Sequence, residues 1–314
     1  MGITREEVAW GYRAILGREP ENEQVFSHHM KTKDFLEFRN ILLTSHEFNL
    51  NSPFLGIGRH RVVDNVEIET TCSAAELEQM SENIAREWRK FGETEPHWSV
   101  LTGDEFKPES IDKNLDLFYS RGEEDISYII SALKRNRIWN GDKTNTLDFG
   151  CGVGRLSLAL APHVGHVTGI DISAAHLVHA RERADKTGVH NVTFASIDTI
   201  EGIDALDQFD LIISLIVLQH NPPPVIVVLI GKLLSRLTSG GVAAIQIPTY
   251  IVGQRFSVEE YLSKQQPSME MNAVPQRVIY EAIDRANAKI VEVREDGYMG
   301  SDIGLSHTFV IQRR

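Results

Sequence analysis

Apolar residues in the first fifty positions of this chain recur at the spacing of an α-helix. A helix begins after Thr4, a residue type that caps helix N-termini. The apolar face of that helix comprises Val8, Tyr12, Ile15 and Leu16. Two further helical runs follow, Glu21–Met30 and Asp34–Leu43. The pattern predicts a small all-α domain over residues 1–50.

Residues 51–137 combine a linker with more helical runs. Pro and Gly in Asn51–Gly58 indicate the linker. Ser73 with Glu76 forms a capping box ahead of a helix that runs to about Phe91. The apolar stripe of this helix is interpreted as packing, and it comprises Leu77, Met80, Ile84, Trp88 and Phe91.

A long loop and two helices complete this region. Gly92–Ser110 is long enough to suggest a functional loop. Helical runs at Asp112–Tyr119 and Glu123–Arg137 follow, joined through Ser120–Gly122. We predict that residues 51–137 form a linker and a helical cap over an active site.

From residue 138 onward, short apolar runs alternate with helical patterns. The predicted strands are Thr144–Phe149, His166–Ile170, Asn191–Ser196, Phe209–Leu215, Val242–Ile247, Lys289–Val293 and Thr308–Gln312. Such alternation is typical of parallel sheets covered by helices on both faces. It predicts an α/β fold: a doubly wound, mostly parallel, seven-stranded Rossmann-like sheet with an antiparallel edge, preceded by the small all-α domain.

The first predicted strand of this domain runs directly into a glycine-rich turn, Gly150–Gly154. A helix follows the turn, and the next strand ends in Asp171, about twenty residues beyond the first glycine. Glycines allow the backbone to approach a ligand, and the helix start offers unpaired N–H groups to an anion. An acid at the end of the second strand can accept both hydroxyls of a ribose. The pattern therefore predicts a nucleotide-type cofactor site.

Composition and charge restrict the partners of the chain. Lys plus Arg number 32 against 44 for Asp plus Glu, a formal charge of −12, which argues against nucleic acid or an anionic membrane as partner. Cys72 and Cys151 are too few for a disulfide framework or a zinc site, and no metal is predicted. The N-terminus lacks a signal-peptide core and the apolar runs are too short to span a bilayer, so we expect a cytoplasmic protein.

The spacing G-x-G-x-G, with Asp148 two residues ahead, resembles the first motif of class I S-adenosylmethionine-dependent methyltransferases. Arg155 stands where a dinucleotide fingerprint would have its third glycine. Phe209–Ser214 and Leu218–His220 are similar to the fourth-strand motif of that family and the L-Q-H that follows it. The resemblance covers roughly residues 115–250. It implies methyl transfer with S-adenosyl-L-methionine as cofactor.

The resemblance also implies which residues contact the cofactor. Asp171 would bind the ribose and Asp198 the adenine amino group, although a loop acid without a ligand is the alternative for Asp198. Tyr119 would lie over the methionine end, and Arg121 would pair with the cofactor carboxylate unless it is a solvated helix-end arginine. The remaining predicted contacts are Asp148, Gly150, Cys151, Gly152, Gly154, Ile172, Ile197 and Leu215.

The methyl acceptor is expected to lie between two long loops, Gly92–Ser110 and Pro248–Val274. If the acceptor is a hydroxyl, His220 is the first candidate for the base, with a histidine merely hydrogen-bonded in a turn as the alternative. His97 is the second candidate. The predicted substrate contacts are Trp98, Gln219 and Tyr250.

Two weaker resemblances bear on the biological setting. Glu270–Pro275 resembles a bacterial group tied to sugar or polysaccharide modification, whose M-x-M-H has Asn272 in the histidine position here. Tyr12–Pro20 with Leu43–Phe48 resembles a small helical domain of undetermined function that is related to phycobilisome linkers, which implies protein docking.

The domains predicted are thus 1–50, a small helical domain; 51–137, the linker and cap; and 138–314, a class I methyltransferase domain.

The predicted reaction is O-methylation of a sugar, nucleotide-sugar or other small-molecule hydroxyl. Alternatives are N-methylation of a small amine and a cofactor-binding protein without turnover. Asn221–Pro224 is similar to the N-P-P-Y/F of nucleic-acid amine methyltransferases, but Pro224 replaces the aromatic residue, so no nucleic acid is expected.

Overall fold

A computed structural model describes residues 2–43, 45, 47, 67–141, 144–263, 269–299 and 304–314. The chain divides into two compact units, Met1–Asp64 and Asn65–Arg314. The predicted linker Asn51–Gly58 lies outside the described residues. A docking role for the N-terminal unit stays a prediction.

The N-terminal unit consists of helices packed around a small apolar core. The helices are α1 (Arg5–Gly11), which continues as a π-helical turn (Tyr12–Leu16), α2 (Glu23–His29) and α3 (Phe35–Leu43). Thr4 caps α1 through a capping box with Glu7, as expected for its residue type. The buried hydrophobic residues are Ile3, Val8, Tyr12, Phe38 and Leu42.

The described residues of the second unit form a seven-stranded sheet in the order β3-β2-β1-β4-β5-β7-β6. The strands are β1 (Asn145–Phe149), β2 (His166–Asp171), β3 (Val192–Ser196), β4 (Phe209–Ser214), β5 (Leu237–Ile251), β6 (Ala288–Asp296) and β7 (Gly304–Arg313). β1 to β5 pair in parallel, and β7 pairs antiparallel with both β5 and β6. The predicted fold class is confirmed.

Helices cover both faces of this sheet. They are α4 (Ala74–Thr94), α5 (Ile111–Arg135), α6 (Arg155–Leu160), α7 (Ala174–Thr187), α8 (Pro223–Ser235), α9 (Val258–Ser263) and α10 (Gln276–Arg285). Successive side chains of a strand point to opposite faces. Accordingly Ile212 of β4 joins the apolar cluster of α8 and α10, whereas Leu211 and Ile213 join that of α5 and α6.

The structure differs from the sequence prediction in the helix that precedes the sheet. Two helices were expected, with a break at Ser120–Gly122, but α5 is continuous from Ile111 to Arg135. Gly122 lies inside it, where a Cβ atom would stand 2.5 Å from the carbonyl oxygen of Arg155. The glycine therefore permits close packing of α5 against α6 rather than ending a helix.

The two long loops are also more regular than predicted. α4 continues to Thr94, with the predicted Ser73–Glu76 capping box at its start, and a short 3₁₀ turn at Asp104–Phe106 buries Phe106. β5 extends to Ile251 and α9 follows it. Tertiary packing overrides the polar and proline-containing composition that suggested irregular structure.

Candidate active site

The glycine turn after β1 brings the backbone against two other segments. Gly150 and Gly152 have positive φ angles of 74° and 53°. A Cβ atom on Gly150 would lie 2.5 Å from the side chain of Val217, and one on Gly152 would lie 2.7 Å from Val100. Both the left-handed backbone and the close contacts explain why glycine occupies these positions.

Asp171, the last residue of β2, is bonded to the glycine turn. Its Oδ2 accepts the N–H of Gly152 at 2.8 Å, and its Oδ1 accepts the N–H of Ser173 at 2.8 Å. A carboxylate has about four acceptor positions, so the two backbone bonds orient the group without saturating it. Its side chain is 11% exposed and lines the neighbouring cleft.

The cleft lies at the carboxyl ends of the parallel strands and encloses about 1130 Å³, including space open to solvent. Binding sites in sheets of this kind occur at this edge. The predicted cofactor residues that line it are Gly150, Cys151, Gly152, Asp171, Ile172, Ile197, Asp198 and Leu215. The structure thus brings these residues together, while their roles stay predictions.

Helix α4 and the segment after it form another wall of the cleft. Ile84 and Trp88, whose stripe was interpreted only as packing, line the cleft. The guanidinium of Arg89 pairs with Asp198 Oδ1 at 3.0 Å. Ser99 Oγ lies 2.9 Å from His176 Nε2, and both residues line the cleft. Helical periodicity identified the buried face of α4 but not the cavity that it faces.

Four predicted cofactor residues are absent from the described cleft lining: Asp148, Gly154, Tyr119 and Arg121. The hydroxyl of Tyr119 donates to the carbonyl of Val153 at 3.2 Å, beneath the turn. Arg121 is exposed on α5 and pairs with Glu124 at 3.1 Å. Both residues belong to the continuous helix α5, and neither is part of the described cleft lining.

Asp148 is buried below the turn, with its Oδ2 accepting the Ser157 hydroxyl at 2.5 Å. Burial raises the pKa of Asp148 to about 6, and the Ser157 hydrogen bond opposes that shift. The folded protein therefore retains this proton at pH values where the unfolded chain, with a pKa of about 3.9, has lost it. The contribution of Asp148 to stability therefore falls as pH rises through this window.

Asp148→Asn should abolish that dependence, because asparagine can accept the Ser157 bond without ionising. From pH 4 to pH 7, the unfolding free energy of the variant should rise by about 2–3 kcal/mol relative to that of the parent chain. Urea denaturation at several pH values measures the difference. Asp198→Asn, at an exposed carboxylate, is the matched control. Parallel pH curves for Asp148→Asn and the parent chain would contradict the assignment.

Arg155 is a site residue that sequence reasoning missed. Its side chain is 2% exposed and lines the cleft. Nη1 pairs with Asp125 Oδ2 at 2.5 Å, and Asp125 Oδ1 accepts the Tyr298 hydroxyl at 2.7 Å. The buried Nε has no hydrogen-bond partner among the described residues. A charged residue at the start of a helix that otherwise consists of Leu, Ser and Ala was the available signal.

The predicted base, His220, and its neighbour Gln219 lie beside the segment after α9. Gln219 Nε2 is 3.1 Å from His220 Nε2, and His220 Nδ1 is 3.3 Å from the carbonyl oxygen of Glu270. The N–H of Asn272 donates to the carbonyl of Gln219 at 2.7 Å. Burial lowers the pKa of His220 to about 4. His220 is therefore neutral at physiological pH.

Half-buried aromatic rings connect His220 to the cleft. The His220 ring lies 5.2 Å from Trp88, Trp88 lies 5.8 Å from Phe91, and Phe91 lies 6.3 Å from Trp98, between ring centroids. We call these four residues the aromatic wall. Of the four, Trp88 lines the described cleft. The predicted substrate residue Trp98 is thus connected to the cleft through Phe91 and Trp88. Gln219 is connected to it through His220 and Trp88.

The remaining predicted residues lie elsewhere. His97 lies between Phe118 and His179, at ring distances of 5.1 and 5.5 Å, and burial lowers its pKa to about 4. Tyr250 lies on β5, half-buried and opposite Leu305 of β7. Neither His97 nor Tyr250 is part of the cleft lining that the structure describes.

Among the residues that the structure describes, no helix combines the length and the apolar character that a membrane span requires. In the same part of the chain, no three His, Cys, Asp or Glu side chains are grouped so that they could hold a metal ion.

Comparison with known proteins adds sequence and structural relatives. A family model described as a methyltransferase domain matches residues 140–297, about half of the chain. The mitochondrial ubiquinone biosynthesis O-methyltransferase of Candida albicans is 36% identical over 112 residues, 35% of this chain and 34% of that protein. The carboxy-S-adenosyl-L-methionine synthase of Dichelobacter nodosus is 26% identical over 138 residues, 43% of this chain and 54% of that protein.

The chain therefore spans about a third to a half of the length of these curated relatives. Among solved structures, magnesium protoporphyrin IX methyltransferase from Synechocystis PCC 6803, with bound SAH, has a TM-score of 0.52 at 19% identity. That match covers 72% of this chain and 98% of the other. At this identity the likeness concerns the fold.

Proposed function

This chain belongs to the methyltransferase-domain family, and we propose that it transfers the methyl group of S-adenosylmethionine to a hydroxyl of a small molecule. The observation that carries the proposal is the position of Asp171 at the end of β2. Its carboxylate is oriented by the N–H groups of Gly152 and Ser173 and still has acceptor positions directed to the cleft. A ribose diol is the donor pair that such a carboxylate fits.

Other groups of the cleft fit the remaining parts of S-adenosylmethionine. Asp198 suits an adenine amino group, with Ile172 and Ile197 as apolar contacts. The unpartnered Nε of Arg155 suits a carboxylate, because a buried guanidinium N–H without an acceptor is costly. We therefore assign to Arg155 the carboxylate role that the sequence suggested for Arg121. When bound, the cofactor supplies an electrophilic methyl group.

Orientation is the main contribution of the protein to such a transfer. Methyl transfer is an in-line displacement, so holding the acceptor oxygen on the axis of the breaking bond supplies much of the rate. The aromatic wall provides flat apolar surfaces next to the cleft. These surfaces support an acceptor with a flat or C–H-rich face, such as a sugar or nucleotide-sugar. The O-methyltransferase among the relatives also favours an oxygen acceptor.

N-methylation of a small amine is the second candidate, and Glu87 favours it. Glu87 precedes Trp88 on α4, and burial, with the negative charge of Glu270, raises its pKa to about 7. A carboxyl group that titrates near neutrality is suited to take a proton from an ammonium group. The same carboxyl would have no comparable task with a neutral sugar.

Methyl-labelled S-adenosylmethionine distinguishes the candidates. The purified chain is incubated separately with nucleotide-sugars, oligosaccharides and small amines, and label in each pool is measured. We expect label in a hydroxyl-bearing acceptor. Label in amines alone would favour N-methylation. Cofactor binding by calorimetry without transfer to any pool would favour a binding protein without turnover.

His220 remains our candidate for the base, and His220→Asn tests it. Removal of a general base should lower kcat about a hundredfold, with the dissociation constant of S-adenosylmethionine unchanged. His97→Asn is the matched control, because His97 is a half-buried histidine beside Phe118 and His179 and is not part of the described cleft lining. A kcat within about threefold of the parent chain for His220→Asn would assign His220 to packing.

A further inference from the structure

Gln246 is a buried polar residue behind the cleft that neither the motifs nor the proposed contacts include. It lies on β5 and is 0% exposed. Its Oε1 accepts the N–H of Ile216 at 2.9 Å. Its Nε2 donates to Gln219 Oε1 at 3.0 Å and to Ser306 Oγ at 2.6 Å. This one amide thus connects β4, β5, β7 and the turn that carries His220.

The Ile216 end of this connection is a strained part of the cleft wall. Ile216 has a φ of 62°, in the left-handed region that β-branched residues rarely adopt. It lies between Leu215 and Val217, and all three line the cleft. Strained backbone persists where surrounding contacts hold it, and it is concentrated at functional sites. The hydrogen bond from Ile216 to Gln246 is one such contact.

The other end of the connection favours one tautomer of His220, that is, which ring nitrogen carries the proton. A backbone N–H can only donate, so Ile216 requires Oε1 of Gln246 and leaves its NH₂ group facing Gln219 Oε1. The NH₂ group of Gln219 then faces His220 Nε2 at 3.1 Å. Nε2 must therefore accept, and Nδ1 carries the proton that is donated to the Glu270 carbonyl at 3.3 Å.

We propose that Gln246 is a positioning residue of this active site. It holds the strained Ile216 backbone in the cleft wall, and through Gln219 it supports the Nδ1–H tautomer of His220. In this tautomer the lone pair is on Nε2, where an acceptor hydroxyl would replace the Gln219 amide as the donor. The catalytic consequence rests on the proposed methyl transfer. The tautomer and the cleft geometry do not rest on methyl transfer, because both can be measured without a methyl acceptor.

Gln246→Glu separates the two roles. At a pH high enough to ionise this buried carboxyl group, it can still accept the Ile216 N–H, but it offers an acceptor where Gln219 Oε1 now receives a donor. The Gln219 amide should flip, its oxygen should face His220 Nε2, and the proton should move to Nε2. Nitrogen-15 NMR of the imidazole reports which nitrogen is protonated. We expect a protonated Nε2 with an S-adenosylmethionine dissociation constant within about threefold of the parent chain.

Gln246→Met removes both roles, and Ser306→Ala is its control because, of the three hydrogen bonds of Gln246, it deletes only the third; it also removes the hydrogen bond between Ser306 and Asp296 on the neighbouring strand. The loss of one buried hydrogen bond at the cleft wall should weaken S-adenosylmethionine binding roughly tenfold in Gln246→Met. Ser306→Ala should bind within about threefold of the parent chain and keep the Nδ1–H tautomer.

Gln219→Leu tests the relay without changing β5, in case the Gln246 variants do not fold. It removes the donor to Nε2 and leaves the Glu270 carbonyl as a contact that still favours Nδ1–H. The fraction of the Nε2–H tautomer should therefore rise above that of the parent chain while cofactor affinity is retained. A purely Nδ1–H tautomer in Gln246→Glu or Gln219→Leu would overturn the relay. Unchanged cofactor affinity in Gln246→Met would overturn the Ile216 role. A parent chain that binds cofactor but transfers no methyl group would contradict the proposed function and leave both results interpretable.

Discussion

Asp171→Ala should weaken S-adenosylmethionine binding about a thousandfold. Two ribose hydroxyls lose a charged acceptor, and each such hydrogen bond contributes about 1.5–3 kcal/mol. The N–H groups of Gly152 and Ser173 also lose their acceptor, so the glycine turn loses its link to the end of β2. Calorimetric titration of cofactor into the purified variant measures the change.

Asp171→Asn sharpens this test, because it preserves size and removes only charge and one acceptor. The Asp171 side chain accepts one backbone N–H on each oxygen. Asparagine has a single oxygen, so it can accept only one of these two hydrogen bonds, and its NH₂ group cannot accept the other. We expect affinity to fall at least tenfold even in this variant. Asp284→Asn on α10 is the matched control, since its carboxylate is 73% exposed, pairs with Arg314 and is not part of the described cleft lining. If Asp171→Ala binds cofactor within about threefold of the parent chain, the ribose assignment is wrong.

Arg155→Met should destabilise the protein by about 3–5 kcal/mol, because it leaves the partly buried Asp125 carboxylate without its cation. Among the described residues, the Tyr298 hydroxyl would still donate to Asp125 at 2.7 Å, but a neutral hydroxyl cannot replace a guanidinium. Urea denaturation measures the loss. A change below about 1 kcal/mol would contradict the view that this ion pair supports the junction of α5 and α6.

The same residue has a predicted ligand role, and a double variant separates it from stability. Arg155→Met combined with Asp125→Leu replaces the ion pair by apolar side chains, which often restores stability. We expect stability to recover but S-adenosylmethionine binding to stay at least about tenfold weaker, because the guanidinium that would bind the cofactor carboxylate is still missing. Recovery of affinity together with stability would assign Arg155 to packing alone.

The error in α5 shows how local signals fail near a binding site. Gly122 was interpreted as a break, because glycine disfavours helices in isolation. In the folded protein the missing side chain admits the backbone of Arg155, so the helix continues past it. Tyr119 then bonds to Val153 beneath the turn instead of facing the cleft. Both predicted cofactor residues of this helix, Tyr119 and Arg121, thus lie outside the described cleft lining.

Local sequence patterns were sufficient for the fold class and for the positions of the glycine turn, Asp171 and Asp198 at strand ends. Apolar periodicity reports which face of an element is buried, and parallel strands place their carboxyl ends on one edge. Periodicity does not report which side chains pack against a buried face, because those side chains come from segments distant in the chain. Burial of Arg155 beside Asp125 and Tyr298, and the contacts of Gln246, arise from pairings between such distant segments, so only the tertiary structure decided them.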